Sequence, residues 1–168
     1  MAPTASGTPP VRPGPASFGG MVHPPGPVLG LDYGEKRIGM AVSDPDTGLA
    51  FPAGTLERRR LAEDLAQLAA LVELRGVAEI VVGLPLHLDG RAGEAAEAAR
   101  RFADRLSGAV SVPVEMFDER LTSVEAERAL REAPRGRRRR KGAVDTLAAT
   151  ILLRTYLEQR DAVGRVSA

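Results

Sequence analysis

The sequence predicts a single α/β domain in which a mixed five-stranded sheet, an antiparallel hairpin meander plus parallel strands, is flanked by helices. The length of 168 residues suits one domain and is short for two. A hydrophobic content of 43% is sufficient for a core. Short apolar runs come first along the chain, and segments of helical periodicity then alternate with further strands. A hairpin that leads into βα crossovers produces such a sheet.

The domain is predicted to span residues 28–160. Residues 1–27 hold eight of the thirteen prolines and show no hydrophobic periodicity, which indicates a disordered tail. Residues 161–168 are predicted to form a flexible C-terminus.

The first three strands follow from short-range patterns. The apolar run Val28–Tyr33 ends in Asp-Tyr-Gly and predicts a strand and a turn. Apolar residues then alternate between 38 and 42, and the short connection predicts an antiparallel hairpin. A weaker third strand is expected over 50–56, where Pro52 indicates an irregularity or an edge position.

The later elements alternate between helices and strands. Leucines at helical spacing predict an amphipathic helix over 60–75, which Gly76 ends. An Ile-Val-Val run predicts a buried strand over 79–84. A capping box begins the second-to-last helix. The remaining elements are expected at 93–106 (helix), 112–117 (buried strand), 122–132 (helix) and 143–159 (helix).

The composition excludes several kinds of site. The chain has no cysteine and two histidines, which excludes thiolate metal sites and argues against a histidine-rich zinc site. A metal would therefore be a hard cation held by oxygen atoms. No apolar run approaches a membrane helix or a signal peptide, so we expect no membrane association and a cytoplasmic location. The net charge of +1 means that attraction to nucleic acid must come from a local patch.

Acidic residues stand at the ends of three predicted elements. Asp32 closes the first strand, Asp118 and Glu119 follow the fifth, and Asp145 lies in the first turn of the last helix. Sites in such sheets assemble beyond the strand ends. Carboxylates from separate segments suit two Mg²⁺ ions about 4 Å apart, as in phosphodiester hydrolysis. Each acid also has a structural interpretation, as a turn residue, a solvated charge or a helix-dipole partner. Asp32 is the strongest candidate because an acid at the end of an apolar strand is costly unless paired.

A dense basic run precedes the last helix. Six positive charges in seven residues are typical of phosphate contacts, although a solvated loop in an arginine-rich protein is the alternative. The residues are Arg135, Arg137, Arg138, Arg139, Arg140 and Lys141.

Four motifs together resemble the YqgF/RuvX family. They appear in the right order between about residues 28 and 158. The motifs are Leu-Gly-Leu-Asp-Tyr-Gly-Glu-Lys-Arg-Ile-Gly-Met-Ala-Val-Ser-Asp at 29–44, Val-Gly-Leu-Pro-Leu-His-Leu-Asp-Gly at 82–90, Asp-Glu-Arg-Leu-Thr-Ser at 118–123, and Lys-Gly-Ala-Val-Asp-Thr-Leu-Ala-Ala at 141–149.

The resemblance implies a ribonuclease H-like fold and a bacterial cytoplasmic nuclease. Members are described as candidate pre-16S rRNA nucleases and, earlier, as Holliday-junction resolvase homologues. By motif position, Asp32, Glu119 and Asp145 would be the catalytic, metal-binding triad, with Asp118 as an open alternative. Three further residues match basic motif positions and are expected to bind nucleic acid: Lys36, Arg120 and Lys141.

The expected function is therefore a Mg²⁺- or Mn²⁺-dependent endonuclease that acts on structured RNA and processes the 5′ end of pre-16S rRNA. Ribosomal precursor particles are expected as partners, and the protein is expected to be a monomer or a homodimer. One alternative keeps the chemistry and changes the substrate to branched DNA. A second is a non-catalytic RNA-binding module for ribosome assembly or transcription. A phosphotransferase ranks lower because the chain lacks a second lobe.

Overall fold

The computed structural model describes residues 26–122, 128, 132 and 139–166. Within them the predicted order of elements is confirmed, whereas most of the helix expected over 122–132 lies outside the described residues. The strands are β1 (Val28–Tyr33), β2 (Arg37–Ser43), β3 (Ala50–Glu57), β4 (Glu79–Leu84) and β5 (Val114–Asp118). The helices are α1 (Leu61–Arg75), α2 (Glu94–Ala109) and α3 (Arg139–Val166), and a 3-10 turn covers Glu119–Leu121.

The five strands form one mixed sheet, as predicted, in the order β3-β2-β1-β4-β5. β2 is antiparallel to β1 and β3, whereas β4 is parallel to β1 and to β5. All strands except β2 therefore run in one direction and end at the same side of the sheet. We call this side the carboxyl edge; it comprises the ends of the four strands at Tyr33, Glu57, Leu84 and Asp118.

The outer strands differ in how well the sequence predicted them. β3 is an edge strand, as Pro52 indicated, and its pairing shifts register between Met40 and Ala41 of β2. The prediction of a buried strand over 112–117 was wrong in part. β5 begins at Val114 and buries only Phe117, because it is the opposite edge of the sheet and has one neighbour.

Alternate residues of the central strands feed two separate cores, one on each face. On one face, Leu29, Leu31 and Ile38 pack with the apolar sides of α1 and α2. On the other face, Val28 and Val81 pack against α3. The period of two along each strand produces this division.

The last helix is longer at both ends than the sequence predicted. It begins at Arg139 instead of 143, since arginine and lysine propagate a helix well. It continues to Val166, past the predicted domain limit at 160. Glu79 of β4 fixes its second half, accepting a hydrogen bond from the Tyr156 hydroxyl and one of 2.7 Å from Arg160.

No helix in the described part of the chain is both long enough and apolar enough to cross a membrane.

Candidate active site

Two strand glycines allow α3 to lie directly on the sheet. A side chain at Gly39 would overlap the carbonyl oxygen of Asp145, and a Cβ at Gly30 would be 2.9 Å from the Cβ of Leu153. Backbone therefore packs against backbone at these points. The sequence predicted Asp145 in the first turn of the last helix, but it lies in the second turn. The reason is that α3 begins at Arg139, four residues before the predicted start.

Asp32 lies beside this contact. It is paired with Gly39 across the β1–β2 hairpin, and Gly39 contacts the backbone of Asp145. Burial raises the pKa of Asp32 from 3.8 to about 6, and the negative charge of Asp145 contributes in the same direction. The first strand and the last helix thus bring two carboxylates within electrostatic reach.

Glu119 approaches Asp32 from the end of β5, two strands away in the sheet. It follows β5 directly, and its carboxylate occupies the space that a side chain at Gly83 of β4 would fill. Burial, and then the charges of Asp32 and Asp118, raise the pKa of Glu119 from 4.5 to about 7. Strands that end at the same edge therefore bring together the acids at 32 and 119, which spacing alone could not show.

Asp118 has a different environment from its neighbour. Its carboxylate accepts hydrogen bonds from the backbone N–H of Arg120 at 2.9 Å and from the Arg120 guanidinium at 2.6–3.0 Å. These contacts lower the pKa of Asp118. Asp118 therefore forms an ion pair with Arg120, while Glu119 lies with Asp32.

The two acids open into a cleft of about 310 Å³. One wall comes from α3, another from the loop after β4, and a third from the 3-10 turn. The lining residues are Asp32, Pro85, Leu86, Leu88, Glu119, Arg120, Thr122, Ala148, Ile151 and Leu152. Leu88 is 95% exposed, so a large apolar side chain stands in solvent at the rim.

The basic residues expected to bind nucleic acid fall into three groups. Lys36 is exposed at the tip of the β1–β2 hairpin, on the carboxyl edge. Arg120 lines the cleft but is paired with Asp118. The basic run was expected to be a loop, yet Arg139, Arg140 and Lys141 form the start of α3. The rest of the run, Arg135, Arg137 and Arg138, lies outside the described residues.

Comparison with known proteins shows the family of this chain. The profile of the RuvX family, described as Holliday junction resolvase, matches residues 26–159. This chain belongs to the RuvX family. A relative from Moorella thermoacetica is 50% identical over 132 residues, which are 79% of this chain and 94% of the relative. One from Chloroflexus aurantiacus is 49% identical over 133 residues, 79% of this chain and 87% of the relative. Both are named as candidate pre-16S rRNA nucleases.

Solved structures identify the fold. RuvC from T. thermophilus, in complex with Holliday junction substrate, superimposes with a TM-score of 0.52 and 16% identity. The superposition covers 79% of this chain and 95% of that one. The predicted ribonuclease H-like fold is thereby confirmed.

The donor set fits a hard divalent cation, although it is not a closed cage. Asp32, Glu119 and Asp145 offer only oxygen atoms, and the raised pKa values of the first two reflect burial and mutual repulsion that a cation would relieve. Within residues 26–122, 128, 132 and 139–166, no three acidic or histidine side chains are arranged closely enough to enclose a metal ion.

Sequence reasoning missed two residues that make the site possible. Gly30 and Gly39 determine how closely α3 approaches the sheet. Glycine inside a strand is the signal that could have identified them, since it often marks a close backbone approach.

Proposed function

We propose that this member of the RuvX family is a metal-dependent endonuclease that hydrolyses phosphodiester bonds in structured RNA and processes the 5′ end of pre-16S rRNA in the cytoplasm. The observation that carries the proposal is the convergence of Asp32 and Glu119 in one cleft, with Asp145 close enough to perturb Asp32. The names of relatives that share about half of their residues with this chain support the substrate. Ribosomal precursor particles are the corresponding partners.

Asp32, Glu119 and Asp145 would hold Mg²⁺ or Mn²⁺. A divalent cation in such a site supplies Lewis acidity toward a phosphate and promotes ionisation of an attacking water. The raised pKa values of Asp32 and Glu119 fit this role, because buried carboxylates that repel one another gain most from a nearby positive charge.

Other residues of the chain would position the substrate. Lys36 stands exposed on the carboxyl edge, and the basic run leads into α3, which carries Asp145. Lys36 follows Asp32 by four residues, and the basic run ends four residues before Asp145. Phosphate contacts at these two places would direct a strand toward the acids without reading its sequence.

The test is cleavage of a 5′-extended 16S precursor RNA by the wild type and by Asp32→Asn, Glu119→Gln and Asp145→Asn. Each variant should fold and lose cleavage, because removal of a metal ligand affects activity far more than stability. Asp104→Asn, an exposed acid of α2, is the matched control and should cleave normally. Wild-type rates in all three site variants would overturn the proposed triad.

A second candidate substrate is branched DNA, which the description of the family favours. The same preparations should therefore be assayed on a four-way DNA junction. Cleavage of the junction but not of the RNA would change the substrate and keep the chemistry. Binding without cleavage of either would indicate a non-catalytic module.

A further inference from the structure

Arg120 is held in a fixed orientation by Asp118. Its backbone N–H and its Nε donate to Asp118 Oδ1 at 2.9 and 3.0 Å, and its Nη2 donates to Oδ2 at 2.6 Å. A planar guanidinium in such a bidentate ion pair has little rotational freedom. Asp118 thereby determines where the third nitrogen, Nη1, is placed.

That third nitrogen contacts the loop after β4, residues 85–92, which we call the β4 loop. Nη1 donates to the carbonyl oxygen of Leu88 at 3.4 Å. At Gly90, where φ is +86°, any Cβ would come within 3.3 Å of the same nitrogen. Arg120 therefore connects the turn that carries Glu119 with the loop that forms the opposite wall of the cleft.

Among the described residues, the β4 loop makes few other contacts that would hold its position. It is a small hairpin closed by a bridge between Leu86 and Ala92 and by a hydrogen bond of 3.0 Å from His87 N–H to the Arg91 carbonyl. Its tip buries little, because Leu88 is 95% exposed. Internal bonds fix the shape of the hairpin, whereas its position over Asp32 and Glu119 needs an external contact.

We propose that Arg120 is a positioning residue that holds the β4 loop over the cleft, and that it is not a phosphate contact. The proposal rests on the proposed nuclease function for its consequence in catalysis. The loop forms the wall against which a bound strand would lie, so a displaced loop would misplace the scissile phosphate.

Substitution of Arg120 by lysine distinguishes a positioning residue from a phosphate contact. A phosphate contact needs a positive charge, which Arg120→Lys retains. Holding the loop needs a guanidinium, which binds the Asp118 carboxylate and the Leu88 carbonyl oxygen at the same time, and a single ammonium cannot do both. Arg120→Gln removes both functions. Arg100→Gln is the matched control, because Arg100 forms a comparable surface ion pair of 2.7 Å with Glu97 on α2.

The first measurement is limited trypsin digestion, with the cut after Arg91 followed by mass spectrometry. Arg91 is exposed in the β4 loop, so its cleavage rate reports local opening. Both Arg120 variants should be cut there about fivefold faster than the wild type and the Arg100 control, which corresponds to about 1 kcal/mol. Equal rates in all four proteins would overturn the proposal.

The second measurement separates binding from turnover, on the 5′-extended precursor RNA. Both Arg120 variants should keep the wild-type salt dependence of binding and KM, while kcat falls by roughly ten- to a hundredfold. A salt slope that drops by about 0.7–0.9 in Arg120→Gln and is restored in Arg120→Lys would instead identify a phosphate contact. The digestion needs no nuclease activity. A wild type that cleaves no nucleic acid would therefore refute the proposed function without obscuring the role of Arg120 in the loop.

Discussion

Asp32→Asn should make the protein more stable while it abolishes cleavage. The substitution removes a buried negative charge that Asp145 repels. The pKa of Asp32 rises from 3.8 to about 6 on folding. At 1.36 kcal/mol for each pH unit, this difference destabilises the folded state by about 3 kcal/mol at pH 8. The asparagine amide needs hydrogen-bond partners of its own, so we expect a net gain of about 2 kcal/mol.

The gain should depend on pH in one direction. Above pH 6 the carboxylate is charged in both the folded and the unfolded state, and the full penalty applies. As the pH falls toward 3.8, the folded state takes up a proton first, and the penalty disappears once both states are protonated. The variant should therefore exceed the wild type most at pH 8 and match it near pH 4.

Thermal unfolding in EDTA at pH 8, 6 and 4 measures this effect. A gain of about 2 kcal/mol corresponds to a Tm increase of about 4–8 °C for a chain of this size. Asp104→Asn is the control and should change the Tm little, because the side chain of Asp104 is exposed on α2. A variant that is less stable at pH 8, or a gain of equal size at every pH, would refute the electrostatic reasoning.

Three further predictions concern the same site. Cleavage should need Mg²⁺ or Mn²⁺ and be inhibited by Ca²⁺, which holds a looser shell of oxygen ligands; full activity in excess EDTA would contradict this. Gly39→Ala should destabilise the protein by about 1–3 kcal/mol and lower activity, because a methyl group would displace α3 at Asp145. Gly108→Ala is the control and should leave stability unchanged, because a Cβ at Gly108 meets no atom within 4 Å. Urea unfolding of both variants measures the difference, and equal stability of the two would contradict the prediction. Replacing the arginines at 137–140 with serine should lower the salt slope of nucleic-acid binding by roughly 0.7–0.9 for each phosphate that the protein no longer neutralises. The Tm and the cut position should stay the same, and an unchanged slope would show that the run is only a solvated segment.

Local patterns determined most of the elements and the identity of the candidate residues. Short apolar runs predicted β1, β2 and β4, and leucine spacing with Gly76 predicted α1 and its end, where φ is 60°. These signals are local because the apolar periodicity of a strand or a helix can be recognised within a short stretch of sequence. The four motifs added the family, which the comparisons confirm.

Two features of the fold were predicted less accurately. The start of α3 was misplaced because a run of arginines carries no apolar periodicity, although it propagates a helix well. The burial of β5 was overestimated because only the sheet order shows that it has a single neighbour.

The sequence by itself determined which carboxylates could form a site and excluded thiolate ligands. The tertiary structure decided which of them meet. Asp118 and Glu119 are adjacent in sequence, yet Arg120 binds the first, while the space at Gly83 admits the second beside Asp32. Gly39 in turn allows Asp145 to approach from more than a hundred residues away. Such distinctions depend on backbone packing and charge between distant segments, which composition and spacing do not encode.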